Sequence, residues 1–294
     1  MTLTLTAIVA GIGVGAVYGL IAIGFTVVFN TTRVFNLAQG DLVMVGVMGS
    51  WYLLEVTRWP QGLVFVTVTV AVAALSVIEE RLIIRPFLKQ GQGNLGWFIS
   101  TLAFALIIET IVQALYGQQV IHPIPSFIHS AAFHIGDVSI APVFVVATAA
   151  LVIVGVAIEI FYARTWLGVA MRGCADDREG ALLRGIDPRR MGTYAFLISG
   201  AIAGAAGFVL GPIVSSDSSI GLTYTIQGFI ALAIGGFGSI RGAVVGALCL
   251  GVADQVFDRF SNSNYEIVVG LGLMLVLFLV KPTGLFGPAG ARRI

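Results

Sequence analysis

Long apolar runs recur along the whole chain, each closed by proline, charge or turn-forming residues. A stretch of about 20 apolar residues can cross ~30 Å of hydrocarbon as a helix. The runs predict segments at about 5–28, 41–56, 62–80, 95–116, 141–162, 191–213, 226–256 and 265–281. Within a bilayer only helices and closed barrels satisfy their own backbone. Barrel-type alternation is absent, so the pattern predicts an all-α, polytopic membrane bundle. Gly235, Gly236 and Gly238 interrupt the 226–256 segment and Arg241 follows them. That predicts a broken or re-entrant element and eight to nine membrane elements in all. One polar break is longer than the rest: Ala163 to Arg190 holds six of the sixteen basic residues and four of the fifteen acidic ones.

Composition fixes the class. Hydrophobic residues make up 57% of the 294 and charged residues 11%, against about 25% charged in soluble domains. A net charge of +1 excludes a basic nucleic-acid surface as a main feature. Cys174 lies in the polar island and Cys249 in an apolar run, so neither a disulfide nor a metal site is expected. The start, MTLTLTAIVAGIG, lacks the basic region of a cleaved signal and reads as a retained first span. Arg81, Arg85 and Lys89 share one connection and the island's six arginines another, whereas 117–140 and 215–227 carry no Lys or Arg. The basic connections are expected on the cytoplasmic side. Arg33, Lys281, Arg292 and Arg293 place the first connection and the C-terminus there too, and so the N-terminus outside; Arg58 and Arg259 dissent.

Small residues spaced by four recur: Gly11, Gly15 and Gly19; Gly200 and Gly204; Gly207 and Gly211; Gly242 and Gly246. Such spacing lets membrane helices approach closely, and ordinary packing is the first reading of each. The string from Gly11 to Ala16 resembles a dinucleotide fingerprint, but it follows no strand and lies in a span, which excludes that use. Asn36, Gln39, Gly40 and Asp41 precede the apolar run from Leu42 to Val47. Asn36 and Asp41 are good helix caps, and a helix start at mid-membrane can face a substrate carboxylate. The plainer reading is a capped cytoplasmic helix end. Glu109 lies within FISTLAFALIIETIVQALY, where a charge costs about 2.5–3.5 kcal/mol unless paired or hydrated. Asp254 and Gln255 pose the same question.

Local signals in the island predict two short helices. One runs from Leu167 to Gly173. The second, Asp177 to Arg184, is opened by a capping box of Asp176 and Glu179 and closed by Gly185. Asp187-Pro188 then starts the next span. Val169, Ala170, Ala181, Leu182 and Leu183 would form an oily face, suited to the inner leaflet or to a docking protein. The two lysines, Lys89 and Lys281, lie in no Gly-x-x-x-x-Gly-Lys-Ser/Thr string, so any ATP that drives this protein is hydrolysed by another chain.

These residues resemble the permease of bacterial ATP-binding-cassette importers of the branched-chain amino acid type. The likeness covers nearly the whole chain: RVFNLAQGDLVMVG from Arg33, IEERLIIRPF from Ile78, FISTLAFALIIE from Phe98, TWLGVAMRGCADDREGALLRGIDPRRM from Thr165, FLISGAIAGAAGFVLGP from Phe196, ALAIGGFGSIRGAVVGALCLG from Ala231 and KPTGLFG from Lys281. The resemblance implies one transmembrane permease domain over 1–294, in the bacterial inner membrane. It also implies a second, paralogous permease, two cytoplasmic ATP-binding subunits and a periplasmic or extracellular substrate-binding protein. No cofactor would bind this chain, ATP being used by its partners, and no catalytic residue is expected of it. The island at 163–190 takes the place of the coupling loop, with Gly168, Ala170, Arg172, Ala175, Asp177, Glu179, Ala181 and Gly185 as the ATPase contact. Asn36, Gln39, Gly40, Asp41, Glu109, Gly235, Gly236 and Gly238 are the translocation-path candidates. Arg241, Gln227 and Asp254 depart from the family pattern, which leaves substrate open: branched-chain or other apolar amino acids, or urea or short amides. The rival class is an ATP-independent secondary transporter using Glu109, Asp41 or Asp254.

Overall fold

The computed structural model describes residues 2–88, 96–117, 133–135, 138–213, 220–259 and 266–287. Lys89, Arg292 and Arg293, used in the sidedness argument, lie outside them. The chain runs through α1 (Thr2–Thr32), α2 (Gln39–Trp51), α3 (Gln61–Glu79), α4 (Arg85–Leu88), α5 (Gly96–Tyr116) and α6 (Pro142–Arg164). Then come α7 (Trp166–Asp176), α8 (Arg178–Leu183), α9 (Pro188–Leu210), α10 (Ile220–Gly235), α11 (Ile240–Asp258) and α12 (Glu266–Val280). By length and composition α1, α3, α5, α6, α9 and α11 can each cross a membrane, while α10 and α12 are apolar but shorter. The bundle is all-α as expected, with one addition at its edge. Strands β1 (Phe133–Ile135) and β2 (Val138–Ile140) pair antiparallel with Phe133 opposite Ile140, and β2 runs beside α1.

Local chemistry sets the helix boundaries. Pro142 opens α6 and Pro188 opens α9, each at a position where a missing N–H costs nothing. Ser239 caps α11 by accepting from Gly242 N at 3.0 Å. The 226–256 segment therefore divides into α10 and α11 at the glycine-rich turn. α2 continues through a π-helical turn, Tyr52–Val56, and α3 through another, Glu80–Ile84. The second widens just before Pro86, which cannot donate to the Leu82 carbonyl and would crowd it in an α-helix. Because the turn bonds five residues apart, Arg85 comes round to Glu80 at 3.2 Å.

α1 is the central helix, with α6, α9, α10 and α11 packed about it and Ile21, Ile23 and Phe25 fully buried. Missing side chains make the close contacts. A Cβ at Gly11 would lie 2.6 Å from Val252 Cα, and one at Gly207 2.7 Å from Gly46 Cα. Gly15 meets Ala247 of α11, and Gly200 and Gly204 meet α3. Gly11, Gly15, Gly200, Gly204 and Gly207 thus line helix seams, as packing in lipid requires. Exposed apolar side chains such as Val70, Ile107, Ile153 and Val276 cover the outward faces of α3, α5, α6 and α12.

The bundle has two unlike ends. Arg33, the island, the start of α9 and the α10–α11 turn meet at one, as Arg85 Nη2 to Thr193 Oγ1 at 3.0 Å and Asn30 Nδ2 to Gly238 O at 3.0 Å record. Segment 281–287 joins them, with Leu285 N bonded to Ile234 O at 2.9 Å. The N-terminal half of α1 lies toward the other end, beside the C-terminal half of α11. Of the sixteen basic residues three are outside the described ones; of the remaining thirteen only Arg58 and Arg259 sit away from the island end.

Candidate functional site

After Thr32 the chain turns back into the bundle. Arg33 makes the reversal in a left-handed conformation, φ 58°, and α2 begins inside the protein. Asn36, Ala38 and Gln39 have no exposed surface and Asp41 has 1%. Ser199 Oγ lies 2.8 Å from Gln39 Oε1 and 3.0 Å from Gly24 O. It can donate to one of them at a time. Gly24 precedes Arg33 by nine residues, so α2 starts roughly 13 Å in from the island end at the helical rise per residue. Gly40 lets α10 approach: a Cβ there would lie 2.6 Å from Thr225 N.

The free N–H groups of this buried start are largely occupied. Gln39 N donates to Asn36 O at 3.1 Å and Gly40 N to Thr225 Oγ1 at 3.0 Å. This revises the expected caps. Ala38 holds the cap position, with no side chain able to bond. Asn36 acts two residues earlier, its Oδ1 accepting from Ala38 N at 3.0 Å. Asp41 lies within the first turn, where the helix dipole favours a negative group. The re-entrant turn, which no local sequence signal announces, moves each residue off the cap.

Carboxylates gather here. Asn36 Nδ2 donates to Glu79 Oε2 at 2.9 Å, and Glu79 is fully buried. Glu79 Oε1 and both Asp41 oxygens lack a partner from any other residue. Glu109, half-buried on α5, takes a bond from Gln113 Nε2 at 2.9 Å. Glu79, Ser199 and Thr225 are the members that sequence reasoning passed over. Glu79 stands beside Glu80 at the end of an apolar run; both are buried, and only the fold shows that Asn36 holds the first while Arg85 pairs with the second. Among the described residues no group of three His, Cys, Asp or Glu is placed to hold a metal ion.

The other path candidates lie elsewhere. Gly235, Gly236 (φ 103°) and Gly238 (φ 84°) form the α10–α11 turn at the island end, against Gly242 and segment 283–287. Between that turn and the buried start of α2 sits Phe35. It stacks on Phe29 at 4.6 Å and meets Phe229 and Phe237 at 5.4 Å each. Arg241, at the same end, pairs with Glu159 at 2.7 Å. Gln227 and Asp254 are buried.

The island folds as two short helices, with corrections of register. α7 runs to Asp176 rather than Gly173, its start capped by Thr165 accepting from Gly168 N at 3.0 Å. Asp177, not Asp176, caps α8, accepting from Gly180 N at 2.9 Å, so Glu179 closes no reciprocal box. Asp176 is drawn away by Arg33, 2.8 Å distant. Gly185 takes φ 77°, and Asp187 caps α9 by accepting from Arg189 N at 2.9 Å. The expected oily face is split. Gly168, Ala170 and Ala181 pack inward with Met171 and Cys174, whose burial pushes the thiol up. Trp166, Val169, Leu182 and Leu183 face outward, Leu183 90% exposed, beside Arg172 and Glu179. Ala175 is half-buried; its carbonyl accepts from Arg33 Nε at 3.2 Å.

Arg33 gains little stability from these contacts. A non-glycine residue in the left-handed region costs roughly 1–2 kcal/mol. A half-exposed ion pair is worth about 0–1 kcal/mol. The guanidinium also lies 5.4 Å from the Phe29 ring centre, worth ~0.5–1 kcal/mol at an exposed site. The bond to the Ala175 carbonyl adds about 0.5–1.5 kcal/mol, so contacts and strain balance to within about 2 kcal/mol.

Known proteins bear on this arrangement. A structure of PsaBC from Streptococcus pneumoniae in complex with Fab matches 97% of this chain and 94% of its own at TM-score 0.51 and 12% identity, a likeness of fold alone. The high-affinity branched-chain amino acid transport system permease protein LivH of Escherichia coli K12 is 30% identical over 94% of this chain and 93% of its own. BraD of Pseudomonas aeruginosa, of the same description, is 29% identical over 95% and 94%. LivM of E. coli K12 is 29% identical over 40% of this chain. The family model described as the permease component of branched-chain amino acid transport systems matches residues 7–279. With that match spanning almost the whole bundle, the chain belongs to the family of branched-chain amino acid transport permeases.

Proposed function

We propose that this chain is a permease subunit of an ATP-driven importer for branched-chain or other apolar amino acids. The observation that carries the reading is the island. Two capped helices, held to the bundle by Gly168, Ala170 and Ala181, turn Trp166, Leu182 and Leu183 outward among arginines. Exposed apolar residues rimmed by charge suit a protein partner, and this chain carries no phosphate-binding loop. Separate ATPase subunits would dock there, with Arg172, Asp177 and Glu179 as polar contacts and Ala175 and Gly185 setting the bend. The excess of basic residues supports a cytoplasmic reading of that end, and with it a start of α1 outside and segment 281–287 inside. A second permease and an external binding protein complete the assembly. The E. coli proteins LivH and LivM, two permeases of one transport system by name, support the pairing. Alternating access would open and close the path beside α2, α5 and α10. Importers of urea or short amides share the motifs and would differ in substrate only.

A second reading is favoured by one observation: Asp41 and Glu79 are buried with oxygens that no other residue satisfies. They could serve an ion-driven transporter. One experiment separates the two. The chain is extracted gently with its native partners and reconstituted in vesicles. Uptake that requires ATP and survives an uncoupler, and is abolished by Glu179→Arg or Arg172→Glu while membrane insertion is unchanged, supports the importer. Uptake that persists without ATP and collapses with the ion gradient sinks it.

A further inference from the structure

We infer that Arg33 is a positioning residue, through which movement of the α7–α8 junction reaches the buried start of α2. The inference rests on the importer reading for its purpose and on geometry for its content. Arg33 is one of two described non-glycine residues with positive φ, Arg58 being the other. Strain of this kind persists where the surroundings hold it, often at functional positions. Glycine would make this turn without strain, so the reason for an arginine lies in what its side chain touches.

What the side chain touches gives the reason. Its guanidinium closes the C-terminal end of α7, donating to Ala175 O at 3.2 Å and Asp176 Oδ1 at 2.8 Å. Last-turn carbonyls carry the negative end of the helix dipole, and a cation is their natural partner. Ala175 and Asp176 adjoin Asp177, the hinge where α7 gives way to α8 and the place where an ATPase would press. On the other side, Arg33 lies over Phe29, and Phe29 stacks on Phe35 with planes 6° apart. Phe35 touches Phe229 of α10, Phe237 of the α10–α11 turn and Trp97 of α5. One residue on, Asn36 holds Glu79 and caps toward Ala38. Three residues further, Gln39 meets Ser199. A shift of the α7 end is therefore delivered in six residues to the segment that places α2, Glu79 and Asp41. No other described residue joins the C-terminal carbonyls of α7 to the 33–38 segment.

The test uses the complete transporter in vesicles. Arg33→Gly removes the side chain and the strain together, so the fold is expected to survive. The result expected is uptake per ATP hydrolysed at least tenfold below wild type, with basal hydrolysis within twofold and assembly intact. Arg33→Lys should fall between. Adding Asp176→Asn to Arg33→Gly should cause no further loss, because both act through one contact. An unchanged ratio in Arg33→Gly, or a fresh loss on adding Asp176→Asn, overturns the inference. A second readout needs no transport. In a chain whose cysteines are replaced, Ala38→Cys should be shielded from a small permeant maleimide and become reactive when Arg33→Gly is added. Equal rates with and without Arg33 overturn the inference. A wild-type complex lacking ATP-dependent uptake instead removes the importer reading and leaves the maleimide result to judge Arg33 alone.

Discussion

Asp176 and Asp177 are neighbours of the same type with different tasks. Asp177 caps α8 through Gly180 N, whereas Asp176 is held by Arg33 across 143 positions of sequence. Asp177→Ala should cost about 1 kcal/mol, the usual loss for a helix cap, read as faster amide exchange confined to residues 178–183. Asp176→Ala should leave that exchange unchanged. The spacing of Asp176 and Glu179 fits a capping box as well as any pair in the island, and the choice between two aspartates is made by a distant arginine. Glu79 and Glu80 pose the same problem. Their types are visible in the sequence and both are buried, but which of them meets Arg85 depends on the π-helical turn that begins at Glu80. Residue-scale chemistry was legible where it is local, as at Gly185 and Asp187, and illegible where a remote partner decides.

At the scale of elements, apolar run length located the helices within a few residues, because a bilayer leaves few alternatives. The glycine seams were legible too, since spacing by four marks one helix face. What the pattern could not convey was depth. The 41–56 run reads as a short span, and only the reversal at Arg33 shows that its helix starts inside. The seam between α2 and α9 fixes that depth. Gly207→Leu, which drives a side chain into Gly46, should lower stability by roughly 1–3 kcal/mol, as overpacking does. Gly272→Leu, where an added Cβ meets nothing within 4 Å, is the control expected to be neutral. Thermal midpoints of the two variants in the same detergent check the contrast.

For the whole molecule, the proposed sidedness rests on charge counted over connections, and the fold brings the described basic connections to one end. With both cysteines replaced, Thr57→Cys in intact cells should react with an impermeant maleimide, and Leu183→Cys only after the cells are opened. The reverse result would invert the assembly. The separation of the start of α1 from segment 281–287 has a consequence for engineering. Among the described residues the N-terminal half of α1 lies at the end of the bundle opposite segment 281–287. Under the proposed sidedness, two copies facing the same way could not be joined from segment 281–287 of one to α1 of the next by a soluble linker, however long. A single-chain tandem needs a linker that itself crosses the bilayer, whereas splitting the chain at a surface connection and co-expressing the halves needs none.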